Sequence, residues 1–400
     1  MSGFKRGLAL IACAGLVACG AGEPIRIGFI GGLSDRNSDV GQSGERGVQL
    51  AVERINRAGG INGRLVELVS RDDAQDPAVA ARSAGELAAA GVEAVIGPFT
   101  SGMAAAILPV TAKAGILNIS PTLTAMDYYG KDDNLVRINR TTRDNATDYA
   151  RVMFARGQRR VAVAYDTRNL KFTESWLAEF RQAYAAAGGR LAGEVPYHSQ
   201  PDADFAGVVR AMLKEHPDGL FFISGAIDVA RLAKEARAQA PGLPIGASEW
   251  AATEQLLDLG GHMVDGLLIV LNFDGDDESP RFVEFREAYY RRFQRDPGYS
   301  SISAYDAATV LFEALRRRRG DEPVKAAVLS YGPYQACSSG SPSTPTAIPS
   351  ARSSSTRSAT DASGRSRSTR ADCDNSPQVA ASAECGKITA SFPMTRRPCE

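Results

Sequence analysis

Short apolar runs alternate with longer amphipathic segments from residue 25 to residue 319. The apolar runs predict buried strands, whereas apolar residues spaced three and four apart predict helices. The predicted strands are 25–30, 65–69, 94–96, 116–119, 161–165, 191–195, 220–223, 245–247 and 267–271. The predicted helices are 44–57, 77–90, 102–114, 144–156, 173–187, 205–215, 228–240, 280–295 and 301–319. Asp76 and Pro77 predict where the second helix starts, as its N-cap and first helical residue.

This alternation of strands and helices predicts an α/β fold. Strands that are separated by helices form parallel sheets with helices on both faces. The pattern restarts after residues 135–143, so we expect two doubly wound lobes with parallel central sheets, joined by a hinge. Ligands bind at the carboxyl ends of the strands in such sheets, which places the expected ligand cleft between the lobes.

Charge and cysteine content argue against several classes of function and site. The 400 residues include 46 Lys and Arg against 46 Asp and Glu, which gives a formal net charge of zero. Nucleic-acid binding needs a concentrated basic surface, so we do not expect nucleic acid as a partner. The chain has 3 His, no Cys-x-x-Cys spacing and no cysteine between residues 20 and 335. We therefore expect no metal site, no cofactor and no disulfide in the globular part.

The first residues are typical of an export signal. Lys5 and Arg6 precede the apolar run Gly7–Val17, which is too short to span a bilayer as a helix. The run leads into Ala18 and Cys19, and this junction looks like a bacterial lipobox. We expect residues 1–18 to be a lipoprotein signal peptide and lipidated Cys19 to anchor the protein at the membrane, in the periplasm or at the cell surface. The alternative is an ordinary signal peptide with a chance cysteine.

Two familiar catalytic or cofactor motifs are not matched. The glycines of Gly28–Gly32 have the wrong spacing for a dinucleotide fingerprint, and a polar loop separates them from the next helix. Gly97 lies four residues before Ser101, so this segment is not a nucleophile elbow.

Small hydroxyl residues follow two neighbouring strands. Phe99–Gly102 comes after the strand 94–96, and Ser120–Thr124 comes after the strand 116–119. Free hydroxyls and N–H groups at a helix start suit a small carboxylate. Hydroxyls also cap helices, and from the pattern alone we slightly favour capping over ligand binding.

Residues 25 to about 335 resemble the type I periplasmic solute-binding proteins of ABC transporters, in the branched-chain amino-acid branch. The segments that carry the resemblance cover about three quarters of the chain and are Ile27-Gly28, Leu33-Ser34, Ile55–Gly63, Asp72-Asp73, Asp76-Pro77, Val95–Pro98, Ser101, Ile119–Thr124, Tyr165-Asp166, Asn169, Gly246 and Glu249-Trp250. The resemblance implies a non-enzymatic protein with two lobes and a cleft between them.

The resemblance also implies how a ligand is held. Ser101 donates to the ligand carboxylate, with Thr122 (through its backbone) and Thr124 (through its hydroxyl) at the same end. Glu249, from the other lobe, pairs with the ligand ammonium. Charge-assisted hydrogen bonds of this kind are strong in a closed cleft. Matching positions add Ser34, Tyr165 and Trp250 to the expected ligand-binding residues.

Three positions depart from leucine-type binders, which carry aromatic residues there. This chain has Val40 before the glycine of the first loop, Leu170 after Tyr165-Asp166, and Gly225 after the strand 220–223. We therefore expect a reshaped side-chain pocket that disfavours leucine itself. Trp250 either replaces a wall of this pocket or packs in the core between the lobes. For Asp166 and Asn169 we favour a role in the turn at the strand end over ligand contact.

The resemblance implies the division of the chain. We expect lobe 1 to comprise 24–142 and about 272–325, and lobe 2 to comprise 143–271 and about 326–335. Residues 336–400 contain 15 Ser and 7 Thr in 65 positions, a composition typical of disorder. We interpret this segment as the product of a frameshift, since the family continues here with strands. A native serine-rich tail is the alternative.

Together these features predict a lipid-anchored extracytoplasmic binding protein. We expect it to capture an amino acid or a related small amide or carboxylate and to deliver it to an ABC permease. The main alternative is a ligand-sensing lobe of a regulatory system with the same fold. A sugar-responsive repressor would need a DNA-binding helix pair at the N-terminus, where the signal sequence lies instead.

Overall fold

The computed structural model describes residues 22–34, 38–271, 273–275 and 277–337. The predicted leader, Cys19 and residues 338–400 of the predicted tail lie outside this range. Within it, the chain forms two α/β lobes, each built on one parallel sheet, as the alternation of strands and helices predicts.

Lobe 1 contains a five-stranded parallel sheet in the order β2-β1-β3-β4-β5. Its strands are β1 (Ile25–Gly31), β2 (Val66–Asp72), β3 (Ala94–Ile96), β4 (Leu117–Ser120) and β5 (Leu135–Arg137). The helices between them are α1 (Asp39–Arg57), α2 (Pro77–Ala89) and α3 (Ser101–Lys113). The Asp76 carboxylate accepts hydrogen bonds from the backbone N–H groups of Ala78 and Val79, so the predicted N-cap of α2 is confirmed.

Lobe 2 contains a four-stranded parallel sheet in the order β7-β6-β8-β9. Its strands are β6 (Arg160–Asp166), β7 (Arg190–Tyr197), β8 (Gly219–Ile223) and β9 (Ile245–Ala247). Its helices are α4 (Thr142–Ala155), α5 (Leu170–Ala186), α6 (Phe205–Leu213), α7 (Ala226–Gln239) and α8 (Glu254–Gly260). The predicted strand 267–271 is reduced to one bridge, between Gly246 and Leu268.

Three helices near the end of the described chain pack with lobe 1. They are α9 (Pro280–Phe293), α10 (Tyr299–Arg317) and α11 (Val324–Ser330). Helix α10 lies against α1, and α11 lies against α10. Arg317 Nη1 donates to the Tyr331 carbonyl oxygen, and the Cys337 N–H donates to Asp306 at 2.7 Å. The assignment of 326–335 to lobe 2 was therefore wrong, because α10 holds this segment by packing and hydrogen bonds.

No helix in the described part of the chain is both long and apolar enough to cross a membrane.

Helices α1 and α10 pack so closely that one position requires glycine. A Cβ atom at Gly47 would lie 2.2 Å from the Ser301 carbonyl oxygen, whereas one at Gly85 of α2 would meet nothing within 4 Å. We expect Gly47→Ala to lower the free energy of unfolding by about 1–3 kcal/mol through overpacking. Gly85→Ala is the matched control and should raise it by about 0.5–1 kcal/mol through helix propensity. Urea unfolding of both variants tests this; a Gly47→Ala protein as stable as the control would contradict it.

Candidate functional site

The loop between β3 and α3 is fixed by side chains of β4 and of the segment that follows it. Every second residue here donates a hydrogen bond to a carbonyl oxygen of the loop, because alternate residues of a strand lie on the same side. The pairs are Asn118 Nδ2 to Gly97 at 3.2 Å, Ser120 Oγ to Pro98 at 2.6 Å and Thr122 Oγ1 to Phe99 at 2.6 Å. These bonds position the start of α3. The Thr122 hydroxyl is engaged in this way, which leaves the backbone of Thr122 for the predicted ligand contact.

Gly97 makes this turn possible. Its φ is +132°, a conformation that other residues rarely adopt. A Cβ atom there would lie 2.3 Å from the Ile30 carbonyl oxygen of β1. Position 97 therefore requires glycine, because a side chain there would overlap with β1. The turn places the start of α3 at the carboxyl end of the sheet.

Two buried hydroxyls at the start of α3 lack hydrogen-bond partners among the described residues. Ser101 is 2% exposed and Thr100 is 8% exposed, and neither Ser101 Oγ nor Thr100 Oγ1 has a partner. Thr100 is the N-cap residue, yet its side chain makes no capping bond. Helix capping therefore does not explain these hydroxyls. A buried hydroxyl without a partner costs free energy, and a ligand carboxylate would supply the missing acceptor.

Glu249 lies on the other side of the cleft, in the short 3-10 turn that follows β9. Its carboxylate accepts a hydrogen bond from Asn145 Nδ2 at 2.9 Å, and from Trp176 Nε1 at 3.0 and 3.3 Å. Burial raises the pKa of Glu249, while its hydrogen bonds and the charge of Arg140 oppose that rise. Lobe 2 thus presents a buried acid, held by its own helices α4 and α5, to the cleft.

The cavity between the hydroxyls and the acid has a volume of about 10 Å³, which is about enough for one water molecule, so a larger ligand can enter only when the lobes move apart. Lobe 1 lines it with Phe99, Thr100, Ser101, Thr122 and Tyr299, the first residue of α10. Lobe 2 lines it with Asn169, Phe172, Glu249 and Trp250. The predicted cleft between the lobes is therefore present, with donors on one lobe and an acid on the other.

Trp250 forms a wall of the cleft and also packs inside lobe 2. Its ring lies 5.5 Å from that of Phe172, at an interplanar angle of 76°. A Cβ atom at Gly225 would come 3.5 Å from the indole. The indole therefore lies directly over Gly225, one of the positions where leucine-type binders carry an aromatic residue.

Three predicted ligand residues do not line the cleft. The Ser34 side chain is exposed and its hydroxyl donates to Asp72. The Thr124 hydroxyl accepts from Thr142 Oγ1 at 3.0 Å, and Tyr165 packs against the hydrophobic core. Each side chain thus has another environment, and we leave all three out of the proposed site.

Asn169 and Asp166 differ in their roles. Asp166 accepts hydrogen bonds from the backbone of Arg168 and Ser199, in agreement with the predicted role in the turn. Asn169 lines the cleft, and its Oδ1 accepts from the Gly102 N–H of α3 at 3.0 Å. For Asn169 the preference for a role in the turn was therefore incomplete, since this side chain joins lobe 2 to the helix that carries Ser101.

The lobes also meet beside the cleft, where α1 faces the start of α8. Thr253 Oγ1 donates to Asp39 at 2.6 Å, and Ser43 Oγ donates to Glu254 at 2.8 Å. Asp39 is 4% exposed. These contacts tie a buried carboxylate of lobe 1 to a hydroxyl of lobe 2.

Sequence reasoning missed several lining residues. Thr100 was part of the hydroxyl segment but had no role assigned to it. Phe99 and Phe172 look like core residues in a sequence. Tyr299 comes from a helix about 200 residues beyond Ser101, and no local signal connects the two.

In the described part of the chain, no cluster of His, Cys, Asp and Glu has the arrangement of a metal site. The described residues that line the cleft offer hydroxyl groups, one amide, one carboxylate and aromatic rings.

Comparison with known proteins adds an independent line of evidence. A family model described as periplasmic binding protein matches residues 24–351, which extends past residue 335, where we expected the resemblance to end. A leucine-, isoleucine-, valine-, threonine- and alanine-binding protein of Pseudomonas aeruginosa is 23% identical over 330 residues, 81% of this chain and 87% of that protein.

Two further relatives are informative. A substrate-binding protein of a chemotactic signal transduction system in Halobacterium salinarum is 33% identical over 224 residues, 52% of this chain and 53% of that protein. The branched-chain amino acid transporter substrate-binding protein of Streptococcus pneumoniae, solved with isoleucine, has the same fold. Its TM-score is 0.73 at 23% identity, over 78% of this chain and 90% of that chain.

Proposed function

This chain belongs to the periplasmic binding protein family, whose members bind solutes without converting them, and from that premise we propose that it is an extracytoplasmic lipoprotein of an ABC transporter. It captures an amino acid or a related small amide or carboxylate and delivers it to the permease. Cys19 provides the lipid anchor, as the lipobox-like junction indicates.

The observation that carries this proposal is that hydroxyl groups of one lobe face a carboxylate of the other across the cleft. Ser101 and Thr100 present unpartnered hydroxyls from lobe 1, and Glu249 presents a buried carboxylate from lobe 2. A zwitterion needs donors at its carboxylate end and an acceptor at its ammonium end. Ligand binding would therefore link the two lobes and stabilise the closed form.

A second candidate function is that of a ligand-sensing lobe in a regulatory system. The relative from Halobacterium salinarum, which is named for chemotactic signal transduction, favours this alternative. Both functions use the same cleft, and they differ in the partner that reads the closed state.

A thermal-unfolding screen of residues 20–400 against amino acids, amides and small carboxylates tests the binding role. A ligand at a hundred times its Kd adds about 2.7 kcal/mol to the stability of the bound protein, a shift of roughly several degrees in Tm. A shift with one compound class supports the proposal, whereas a clean transition that no compound moves contradicts it.

Release of the chain from membranes by Cys19→Ala tests the anchor. Ligand-dependent ATP hydrolysis by a reconstituted ABC permease in the presence of the protein separates transport from sensing.

Ser101→Ala should weaken binding of the ligand found in the screen about 10- to 100-fold, because hydrogen bonds to charged groups contribute about 1.5–3 kcal/mol. The free energy of unfolding without ligand should stay equal or rise, since the removed hydroxyl is buried without a partner. Isothermal titration and urea unfolding measure the two effects. Thr147→Ala, on the exposed face of α4, is the control. Unchanged affinity in Ser101→Ala would exclude this hydroxyl from the site.

A further inference from the structure

Trp250 carries a hydrogen-bond donor that is not used within the described part of the chain. The side chain is 6% exposed and lines the cleft, yet its indole Nε1 makes no hydrogen bond to the described residues. The other tryptophan, Trp176, is fully buried and donates from Nε1 to Glu249 at 3.0 Å. An indole N–H can only donate, so we expect a molecule that enters the cleft to supply the acceptor for Trp250.

The position of this donor is set by packing within lobe 2. The ring of Trp250 lies 5.5 Å from that of Phe172, at an interplanar angle of 76°. A Cβ atom at Gly225 would lie 3.6 Å from Nε1, so the N–H side of the indole lies over Gly225. All three residues belong to lobe 2, and separation of the lobes therefore leaves the donor in place. It stands at the wall where leucine-type binders carry an aromatic residue.

The carboxylate end of a ligand has donors of its own. Ser101 and Thr100 present hydroxyls there, and Asn169 lies beside them, because its Oδ1 accepts from the Gly102 N–H at 3.0 Å. Asn169 is 6% exposed, and its Nδ2 makes no hydrogen bond to the residues that the structure describes. Two hydroxyls and one amide group match the roughly four lone-pair sites of a carboxylate. The N–H of Trp250 therefore needs a different acceptor on the ligand.

We propose that the cleft selects an amino acid whose side chain carries a hydroxyl or carbonyl oxygen, and that Trp250 determines this selection by donating from Nε1 to that oxygen. The inference rests on the proposed function, in which Ser101 and Glu249 hold the carboxylate and the ammonium. An apolar side chain in the same place would leave the indole N–H without an acceptor, which weakens binding. A site built to hydrogen-bond its ligand rejects the analogue that lacks the hydrogen-bonding atom.

Pairs of amino acids with nearly the same shape test this selection. The pairs are threonine and valine, serine and 2-aminobutanoate, and asparagine and leucine, and only the first member of each carries a side-chain oxygen. Isothermal titration of residues 20–400 should give the tightest binding for an oxygen-bearing member, about tenfold or more tighter than its apolar partner. Tightest binding of an apolar member, or of a screened compound without oxygen outside its carboxylate or amide end group, overturns the inference and leaves the proposed function intact. If no amino acid, amide or carboxylate binds, both fail.

Two variants show whether the indole N–H causes the selection. Trp250→Phe removes the N–H and retains an aromatic ring, whereas Phe172→Leu alters the packing of the wall and leaves the N–H in place. The affinity ratio within the best pair should fall about fivefold or more in Trp250→Phe and stay within about twofold of the parent ratio in Phe172→Leu. Extra room in the cleft acts on both members of a pair alike and leaves this ratio unchanged. An unchanged ratio in Trp250→Phe, or an equal fall in Phe172→Leu, would overturn the role of Trp250. Circular dichroism establishes that each variant is folded before titration.

Discussion

Replacing Trp176 with alanine should lower the free energy of unfolding by about 3–5 kcal/mol, as for large aromatic residues removed from a core. Trp176 is fully buried, and its ring lies within 5.7 Å of the rings of Tyr149, Phe180 and Phe221. The change opens a cavity in lobe 2 and also removes a hydrogen-bond donor from Glu249. Urea unfolding followed by circular dichroism measures the loss.

A second variant separates the two contributions. Trp176→Phe keeps most of the ring volume and removes the indole N–H, so it should cost about 1–3 kcal/mol, the range for a buried polar group that loses its partner. Leu170→Ala, at an exposed position of α5 (42% exposed), should change stability by less than about 0.5 kcal/mol. If Trp176→Phe were as stable as the parent protein, the hydrogen bond to Glu249 would contribute nothing to the fold.

The free energy of unfolding should also fall as pH rises from about 4 to about 6, in part because of Asp39. Burial raises the pKa of Asp39 from its ordinary value of 3.8 to about 6, and the nearby charge of Glu254 adds to this rise, while the hydrogen bonds from Thr253 and Val40 oppose it. Tyr299 also lies close enough to Asp39 for the two groups to interact electrostatically. Below pH 4 the carboxyl is protonated in both folded and unfolded chains and costs nothing. Above pH 6 the folded chain holds a buried charge, which costs about 3 kcal/mol for a rise of about two pKa units.

Asp39→Asn should therefore flatten the pH profile of unfolding. Between pH 4 and 7 the parent protein should lose up to about 3 kcal/mol more stability than this variant, measured by urea unfolding at fixed ionic strength. Burial also raises the pKa of Asp306, to about 7. The stability that this group loses as pH rises is the same in both proteins, so it cancels when their pH profiles are subtracted. The exposed Asp321→Asn serves as control. Parallel profiles for parent and Asp39→Asn would contradict the prediction.

The repeated strand–helix pattern predicted eight of the nine strands of the two sheets, because each of these is a short, apolar run next to an amphipathic helix. It missed the three-residue edge strand β5 (Leu135–Arg137). Helix α1 shows a limit of this reasoning. It begins at Asp39, five residues before the predicted start, because buried contacts such as that between Thr253 and Asp39 stabilise its polar first turn. Helices α8 and α11 are only seven residues long, too short for their periodicity to stand out.

The candidate site could be predicted only as far as it is local in sequence. Ser101, Thr122, Glu249 and Trp250 follow strand ends, and all four line the cleft. Tyr299 reaches it through the packing of α10 on lobe 1, which involves residues too distant in sequence to be related by a pattern. That Glu249 is already bonded by Asn145 and Trp176 depends on tertiary distances of about 3 Å. The electrostatic character of the cleft was therefore beyond sequence reasoning.

The packing of α10 on α1 implies an order in which the lobes are completed. The residues of lobe 2 are continuous from α4 to residue 271. Lobe 1 instead receives α10 (Tyr299–Arg317), whose contacts with α1 close a loop of about 250 residues. Such distant contacts form slowly. In a chain that emerges from a translocation channel with its N-terminus first, lobe 2 can finish folding while lobe 1 still awaits α10.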